Sequence, residues 1–236
     1  MRRQLAVAAL LFCAGACSHA HASAPLLVDD FGGPDGLITA EGHPPGPIWQ
    51  VTSGSLFRDN GQGWTGVPDQ STDSNVFRMV SLARSFGDVD VNVTMRVDKL
   101  SHTDQTPEQD YDGAHIWVRY KSEFELYAVS VDRRDGLMII KKKCAGGDDN
   151  GGTYYNLNNF DEAAIPFGQW QDIKVSVVDQ PDGSVQITAS RDGERMQAVD
   201  HGVGCAPLRG SGGVGIRGDN AELRFAHIAV TEAGTE

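Results

Sequence analysis

Long apolar runs, basic charge and closely spaced cysteines are all scarce in this sequence, and each scarcity removes a class of protein. Beyond the first two dozen residues no apolar stretch approaches the roughly 20 residues that a membrane-crossing helix requires, so no transmembrane segment is expected. Basic residues are outnumbered, with 20 Lys and Arg against 32 Asp and Glu for a net charge of −12. A nucleic-acid-binding chain would carry the opposite balance, so no nucleic acid is expected as a partner, although a local basic groove is compatible with the total. The four cysteines include no CxxC pair, which argues against a zinc or redox motif. Helical periodicity is nearly missing as well. What is present is a chain of 236 residues, 40% hydrophobic and rich in glycine, with enough apolar material for a substantial core without help from a metal.

The first residues, MRRQLAVAALLFCAGACSHAHASAP, combine a basic start at Arg2 and Arg3, an apolar centre from Leu5 to Ala16 and a small-x-small AHA at 20–22. That is the pattern of a secretory leader. Residues 1–22 are therefore expected to be a signal peptide and 23–236 a single exported domain, secreted or periplasmic. AGAC at 14–17 offers a lesser alternative, a lipoprotein anchored through Cys17, but it lacks the usual leading Leu. With Cys13 and Cys17 in the leader, Cys144 and Cys205 remain as a lone pair in an oxidising compartment, where a disulfide is expected.

The run GDVDVNVTMRVD at 87–98 alternates strictly, with Val89, Val91, Val93, Met95 and Val97 on one face and polar residues on the other. An antiparallel strand with one solvated face reads this way. So do NVFRMVSL (75–82), HIWVRY (115–120), FELYAVSVD (124–132), LMIIKKK (137–143), WQDIKVSVVD (170–179), SVQITASR (184–191), GGVGIRG (212–218) and ELRFAHIAVTE (222–232). DRRDG, QPDGS and RGDN stand between them as turn signals, so consecutive runs read as hairpin neighbours. The Gly- and Pro-rich part at 31–69 is expected to run as ordered loops anchored by Trp49 and Trp64, and EAAIPFGQW near 162 is the one segment that would admit a short helical turn. Many short strands without helices call for an all-β sandwich, jelly roll or closed barrel.

DGLITAE, WQVTSGSLFRD, WTGVPD, YKSEFELYAVSVDRRDG, GQWQDIKVSV and GGVGIRGDNAELRFAHIAV together resemble the concanavalin A-like superfamily, the secreted bacterial laminin-G-like and glucanase-like jelly rolls, from about residue 27 to the end. The resemblance implies a jelly-roll sandwich of two curved antiparallel sheets, with a saccharide lying across the concave one. It does not choose among the lectins, binding modules, hydrolases and lyases built on that frame.

The stretch DGAHIWVRY, at 112–120, suggests where a ligand would lie. Alternation puts Ile116, Val118 and Tyr120 on one face and His115, Trp117 and Arg119 on the other. If the first set is core, the second faces outward, where an indole stacks on a pyranose ring and Arg or His pairs with hydroxyls or carboxylates. Tyr127, Lys141 and Lys143 on the adjoining hairpin would extend the row, giving a ligand-binding set of His115, Trp117, Arg119, Tyr127, Lys141 and Lys143. The alternative, with Trp117 in the core, leaves His115 and Arg119 buried and in need of partners.

Glucanase-type members of the superfamily carry a Glu-x-Asp-x-x-Glu strand, which is absent here. Glu108, Asp110 and Asp112 in PEQDYDG, and Glu123 and Glu125 beside a turn, have the wrong spacing, so a two-carboxylate mechanism is unsupported. Jelly-roll lyases resembling alginate lyase instead use Arg to neutralise a uronate, His or Tyr to take the C5 proton and Tyr to protonate the leaving oxygen. His115, Arg119, Tyr127 and Lys141 would be the corresponding catalytic set, although the Gln-Ile-His and Tyr-Phe-Lys-Ala-Gly signatures are missing. The expected function is binding of a polysaccharide or oligosaccharide on the concave face by a monomer. The alternatives are a polysaccharide lyase or glycoside hydrolase and, second, a laminin-G-like protein-interaction module, for which no flat hydrophobic patch is evident.

No cofactor is required by this reading. The resemblance does imply a structural calcium ion, for which Asp30, Glu41 and Asp219 are candidates near the two chain ends; for Asp219 the competing role is shaping the GDN turn. EQDYDG begins like a calcium loop but reaches Arg119 where an EF-hand needs Glu.

Overall fold

The computed structural model describes residues 24–67, 75–160 and 163–234; the segment expected to be a signal peptide, with Cys13 and Cys17, lies outside them. In chain order the strands are β1 (Leu27–Asp29), β2 (Gly36–Ala40), β3 (Trp49–Ser53), β4 (Ser55–Asp59), β5 (Gln62–Trp64), β6 (Val76–Ser81), β7 (Val89–Leu100), β8 (Gly113–Ser122), β9 (Glu125–Arg133), β10 (Met138–Ala145), β11 (Gly152–Phe160), β12 (Gln171–Asp179), β13 (Val185–Arg191), β14 (Glu194–Asp200), β15 (Gly213–Asp219) and β16 (Ala221–Glu232). They form a nine-stranded sheet, β14-β13-β12-β7-β16-β5-β4-β2 with β1 also on β16, and a seven-stranded sheet, β11-β10-β9-β8-β15-β6-β3.

The alternating runs behave as their patterns require. On β7 the residues Val89, Val91, Val93, Met95 and Val97 are all buried, facing Ile116 and Val118 of β8, Val129 and Val131 of β9 and Ile216 of β15 in one inter-sheet core. Each such aliphatic side chain contributes roughly 1.5 to 3 kcal/mol when fully buried. β16 pairs with β7 along its whole length, and its register shifts between Phe225 and His227. That bulge changes the phase of the alternation, so Leu223 and Phe225 before it and Ile228 and Val230 after it all reach the core.

Two expectations are corrected. The Gly- and Pro-rich segment is not a set of loops: it supplies β2 to β5, because its short alternating stretches are completed by edges of sheets made elsewhere. Trp49 does anchor it, buried with its Nε1 donating to Asp29 at 2.8 Å, and Trp64 Nε1 donates to Glu222 at 2.9 Å. The segment at 163–170 forms a turn rather than a helical one, and no helix occurs among the described residues. Cys144 on β10 is bonded to Cys205 in the loop after β14, with Cα atoms 6.0 Å apart, so the disulfide ties the seven-stranded sheet to a loop leaving the nine-stranded one.

Candidate functional site

β8 runs through the middle of the seven-stranded sheet, between β9 and β15, and decides what the outer face of that sheet presents. Its alternation holds as far as Val118 and then breaks. Arg119 has φ of 50°, and the register with β9 slips between Val118 and Ser122. Gly212 opposite makes room, since a Cβ there would lie 2.8 Å from the Arg119 Cα. The bulge exchanges the faces of the two residues that follow Val118. Tyr120, expected in the core, instead stacks on Trp117 at 5.6 Å on the outer face. Arg119, expected on the outer face, turns into the edge of the sandwich, where its fully buried guanidinium meets Asp88 at 2.6 Å and Asp179 at 3.0 Å.

Tyr127 is likewise not part of an outward row. It pairs in register with Val118, and therefore faces the inter-sheet core. Its hydroxyl donates to Asp200 Oδ2 at 2.6 Å and accepts from the Leu208 amide at 3.0 Å. The expected binding and catalytic sets are thus divided: His115, Trp117, Lys141 and Lys143 share the outer face, while Arg119 and Tyr127 leave it.

The four residues that remain surround two adjoining hollows. The larger is a cavity of about 250 Å³ lined by His115, Trp117 and Ala128 on its floor, Lys141 and Tyr154 on one side, Arg217 and Asp219 on the other, and Tyr111, Asp149 and Asn150 at the mouth. A narrower hollow of about 20 Å³ continues past Trp117, Tyr154 and Arg217 to Arg78 and Lys143. The floor exists because β15 exposes glycines outward. A Cβ on Gly215 would lie 3.2 Å from the Trp117 ring, so its absence lets the indole settle flat on the strand. Trp117 is consequently 3% exposed, a floor residue rather than an open stacking platform, and its Nε1 has no hydrogen-bond partner. The accessible ring is that of Tyr111, 42% exposed at the mouth.

Electrostatics in this cavity are set by burial and by one tight pair. Arg217 grips Asp219 with both arms, at 2.6 and 2.7 Å. Burial opposes ionisation of Asp219, but the adjacent Arg217 charge and His115 outweigh it and hold the carboxyl well below its usual range. His115 is buried; its Nδ1 is 2.8 Å from Ser130 Oγ and its Nε2 is 3.1 Å from Asp219, in a geometry that makes no directed hydrogen bond. Desolvation lowers its pKa to about 4 despite the carboxylate, so the ring is neutral at pH 7. Lys141 is lowered to about 8, by burial first and then by repulsion from Arg133 and Arg217.

The calcium candidates do not converge. Among the described residues no three His, Cys, Asp or Glu side chains are grouped as metal ligands. Asp30 contacts His227 Nδ1 at 2.5 Å, and Asp219 is committed to Arg217. The sequence reading also missed Tyr111, Tyr154, Arg217 and Arg78. Arg217 was legible in principle, since it alternates with Gly213 and Gly215 on GGVGIRG; Tyr154 lies on β11, whose polar sequence GTYYNLNNF has little strand signal.

The sequence matches no protein-family model and no curated protein sequence. Solved structures nevertheless superpose over most of the chain. A Bacillus subtilis protein of unknown function with a galectin-like fold aligns with a TM-score of 0.61 at 11% identity, over 91% of this chain and 99% of that one. The fold is concanavalin A-like. This jelly roll of two curved antiparallel sheets is shared with an endo-acting O-glycanase of the human gut microbiota described in mucin breakdown, at a TM-score of 0.57 and 11% identity over 89% of this chain and 100% of that one. It is shared too with the exoplasmic, lumenal domain of VIP36 in a Ca2+ and Man3GlcNAc-bound form, at 0.52 and 10% over 80% and 86%. At these identities the concanavalin A-like frame is what the likeness establishes.

Proposed function

We propose that the protein is an exported carbohydrate-binding jelly roll whose ligand occupies the cavity on the outer face of the seven-stranded sheet. The observation that carries this reading is the composition of that cavity: about 250 Å³, with the rings of Tyr111 and Tyr154 beside Lys141 and Arg217 over a floor that includes Trp117. Aromatic faces with a few convergent donors are what a sugar ring requires. The lumenal VIP36 domain, solved with Man3GlcNAc, shares the frame. Export is supported by the leader pattern and by the disulfide.

A second reading, a polysaccharide lyase, is favoured by a neutral His115 in the same cavity as Lys141 and Tyr154. A base must be unprotonated to take the C5 proton, and a cation must neutralise the uronate. The catalytic set of this reading is His115, Lys141, Tyr154 and Arg217, without Arg119 and Tyr127. Hydrolysis by paired carboxylates has less support, because Asp219 is held by Arg217.

Affinity electrophoresis of the mature protein through gels containing single polysaccharides tests the first reading. Retardation that disappears in Tyr111→Ala, a change at an exposed position, is the expected result. A protein that migrates freely through neutral and acidic polysaccharides alike would refute it. Ultraviolet absorbance of unsaturated uronate, appearing on incubation and lost in His115→Gln, would establish the lyase.

A further inference from the structure

The chain is acidic overall, yet the floor of its groove is not. Arg78, Lys141, Lys143 and Arg217 line its two hollows, Arg78 and Arg217 from the adjacent strands β6 and β15 and the two lysines from β10, beyond β8 and β9 in the same sheet. Arg217 and Arg78 are cross-strand partners on β15 and β6, and Lys141 and Lys143 are successive outward residues of β10, roughly 7 Å apart. The two lysine ammonium groups lie 5.3 and 5.2 Å from the centroid of the Tyr154 ring. Only Arg217 is neutralised, by Asp219. Among the described residues Arg78, Lys141 and Lys143 have no carboxylate at ion-pair distance, although Lys143 is 3% exposed. Apart from Asp219, the carboxylates in the lining, Asp149 and Glu123, are exposed at the rim.

Lys143 is buried and Arg78 and Lys141 are half-buried; holding a cation out of water without an anion is unfavourable, and gathering three is more so. Such an arrangement persists where an anion completes it. We infer that the ligand is an acidic glycan, whose carboxylate or sulfate groups are received by Lys141 in the larger hollow and by Arg78 and Lys143 in the narrower one. This rests on the carbohydrate-binding reading and narrows it. The pKa values of all three cations are lowered, by burial first, and each of the three is also repelled by Arg217, the tension a bound anion would relieve. A neutral glycan would leave these charges unpaired. Carboxylate and sulfate present the same oxygen-rich anion to Lys and Arg, so the inference covers both.

Two series of one backbone each separate charge from sugar identity: methyl-esterified against de-esterified polygalacturonate, and hydroxyethyl, carboxymethyl and sulfated cellulose. The expected result is retention by the anionic members, weakening as salt is raised, with at least about tenfold loss of affinity in Lys141→Met/Lys143→Met. Arg78→Gln gives the same direction if the double variant folds poorly, as judged by near-ultraviolet circular dichroism. Lys174→Met removes a cation from the opposite sheet and should leave retention unchanged. Preference for the carboxylated or the sulfated member identifies the anion. Equal retention of neutral and anionic members, insensitive to these variants, would overturn the inference and leave carbohydrate binding standing. Free migration through every member would overturn both.

Discussion

At the residue scale the most informative side chain is His115, a buried imidazole kept neutral between Ser130 and Asp219. Its pKa in the folded protein, about 4, lies below the ordinary value of 6.5. As pH falls from 6.5 to 4 the unfolded chain takes up this proton and the folded chain does not, so stability drops across that window and this contribution is constant below it. The loss is on the order of 3 kcal/mol. Asp219 acts in a separate window, because its depressed pKa contributes stability that is lost only as pH falls below the usual carboxylate range. Thermal midpoints measured from pH 7 to 4 should therefore decline in the wild type and flatten in His115→Gln. A wild-type profile already flat between 6.5 and 4 would mean the imidazole is not shielded as described.

At the element scale, β8 and β15 act as a fitted pair. The bulge at Arg119 places one guanidinium in the sandwich edge and one phenol on the outer face, and the outward glycines of β15 make the trough into which Trp117 sinks. A Cβ on Gly215 would also stand 2.6 Å from the Met79 carbonyl oxygen, closer than the backbone can tolerate without shifting. Gly215→Ala is expected to lower stability by about 2 kcal/mol, the ordinary cost of overpacking, and to change the Trp117 fluorescence environment. Urea unfolding with tryptophan detection reads both. For Arg119→Met the expected loss is similar, about 2 kcal/mol, because Asp88 and Asp179 lose their buried partner but remain partly solvated and so avoid the full cost of an orphaned buried charge.

At the scale of the whole molecule, the disulfide stands at a junction between the sheets. Beside it Lys142, fully buried on β10, meets Asp200 of β14 at 2.8 Å and the Cys205 carbonyl oxygen at 2.5 Å, and Asp200 also receives the Tyr127 hydroxyl. The bond closes a span of 61 residues, so its loss frees a long loop in the unfolded chain. Cys144→Ala/Cys205→Ala should be less stable by about 2 to 4 kcal/mol. Guanidinium unfolding of oxidised and reduced protein would show the same difference. An unchanged midpoint would mean that the Lys142, Asp200 and Tyr127 network holds the junction alone.

Period-two patterning by itself determined the long strands, because a buried face repeated at every second residue is a local property of the chain: 87–98, 124–132 and 170–179 became β7, β9 and β12 with the expected residues in the core. It also determined the all-β class, while the Cys144–Cys205 pair followed from cysteine counting and not from patterning. Alternation placed His115 with Trp117 on one face of β8 and Lys141 with Lys143 on one face of β10, but that the two pairs share a face, and that Tyr127 does not, was a matter of register. What alternation cannot contain is its own interruption. The bulge at Arg119 depends on Gly212 across the sheet and on Asp88 and Asp179 waiting at the edge, contacts made by chain segments distant in sequence. For the same reason the short strands β1 to β5, the inward turn of Tyr127 toward Asp200, and the meeting of Arg78, Arg217 and two lysines around Tyr154 were decided only when the sheets closed. Register between distant strands, not the pattern within any one of them, determines which charges share a cavity.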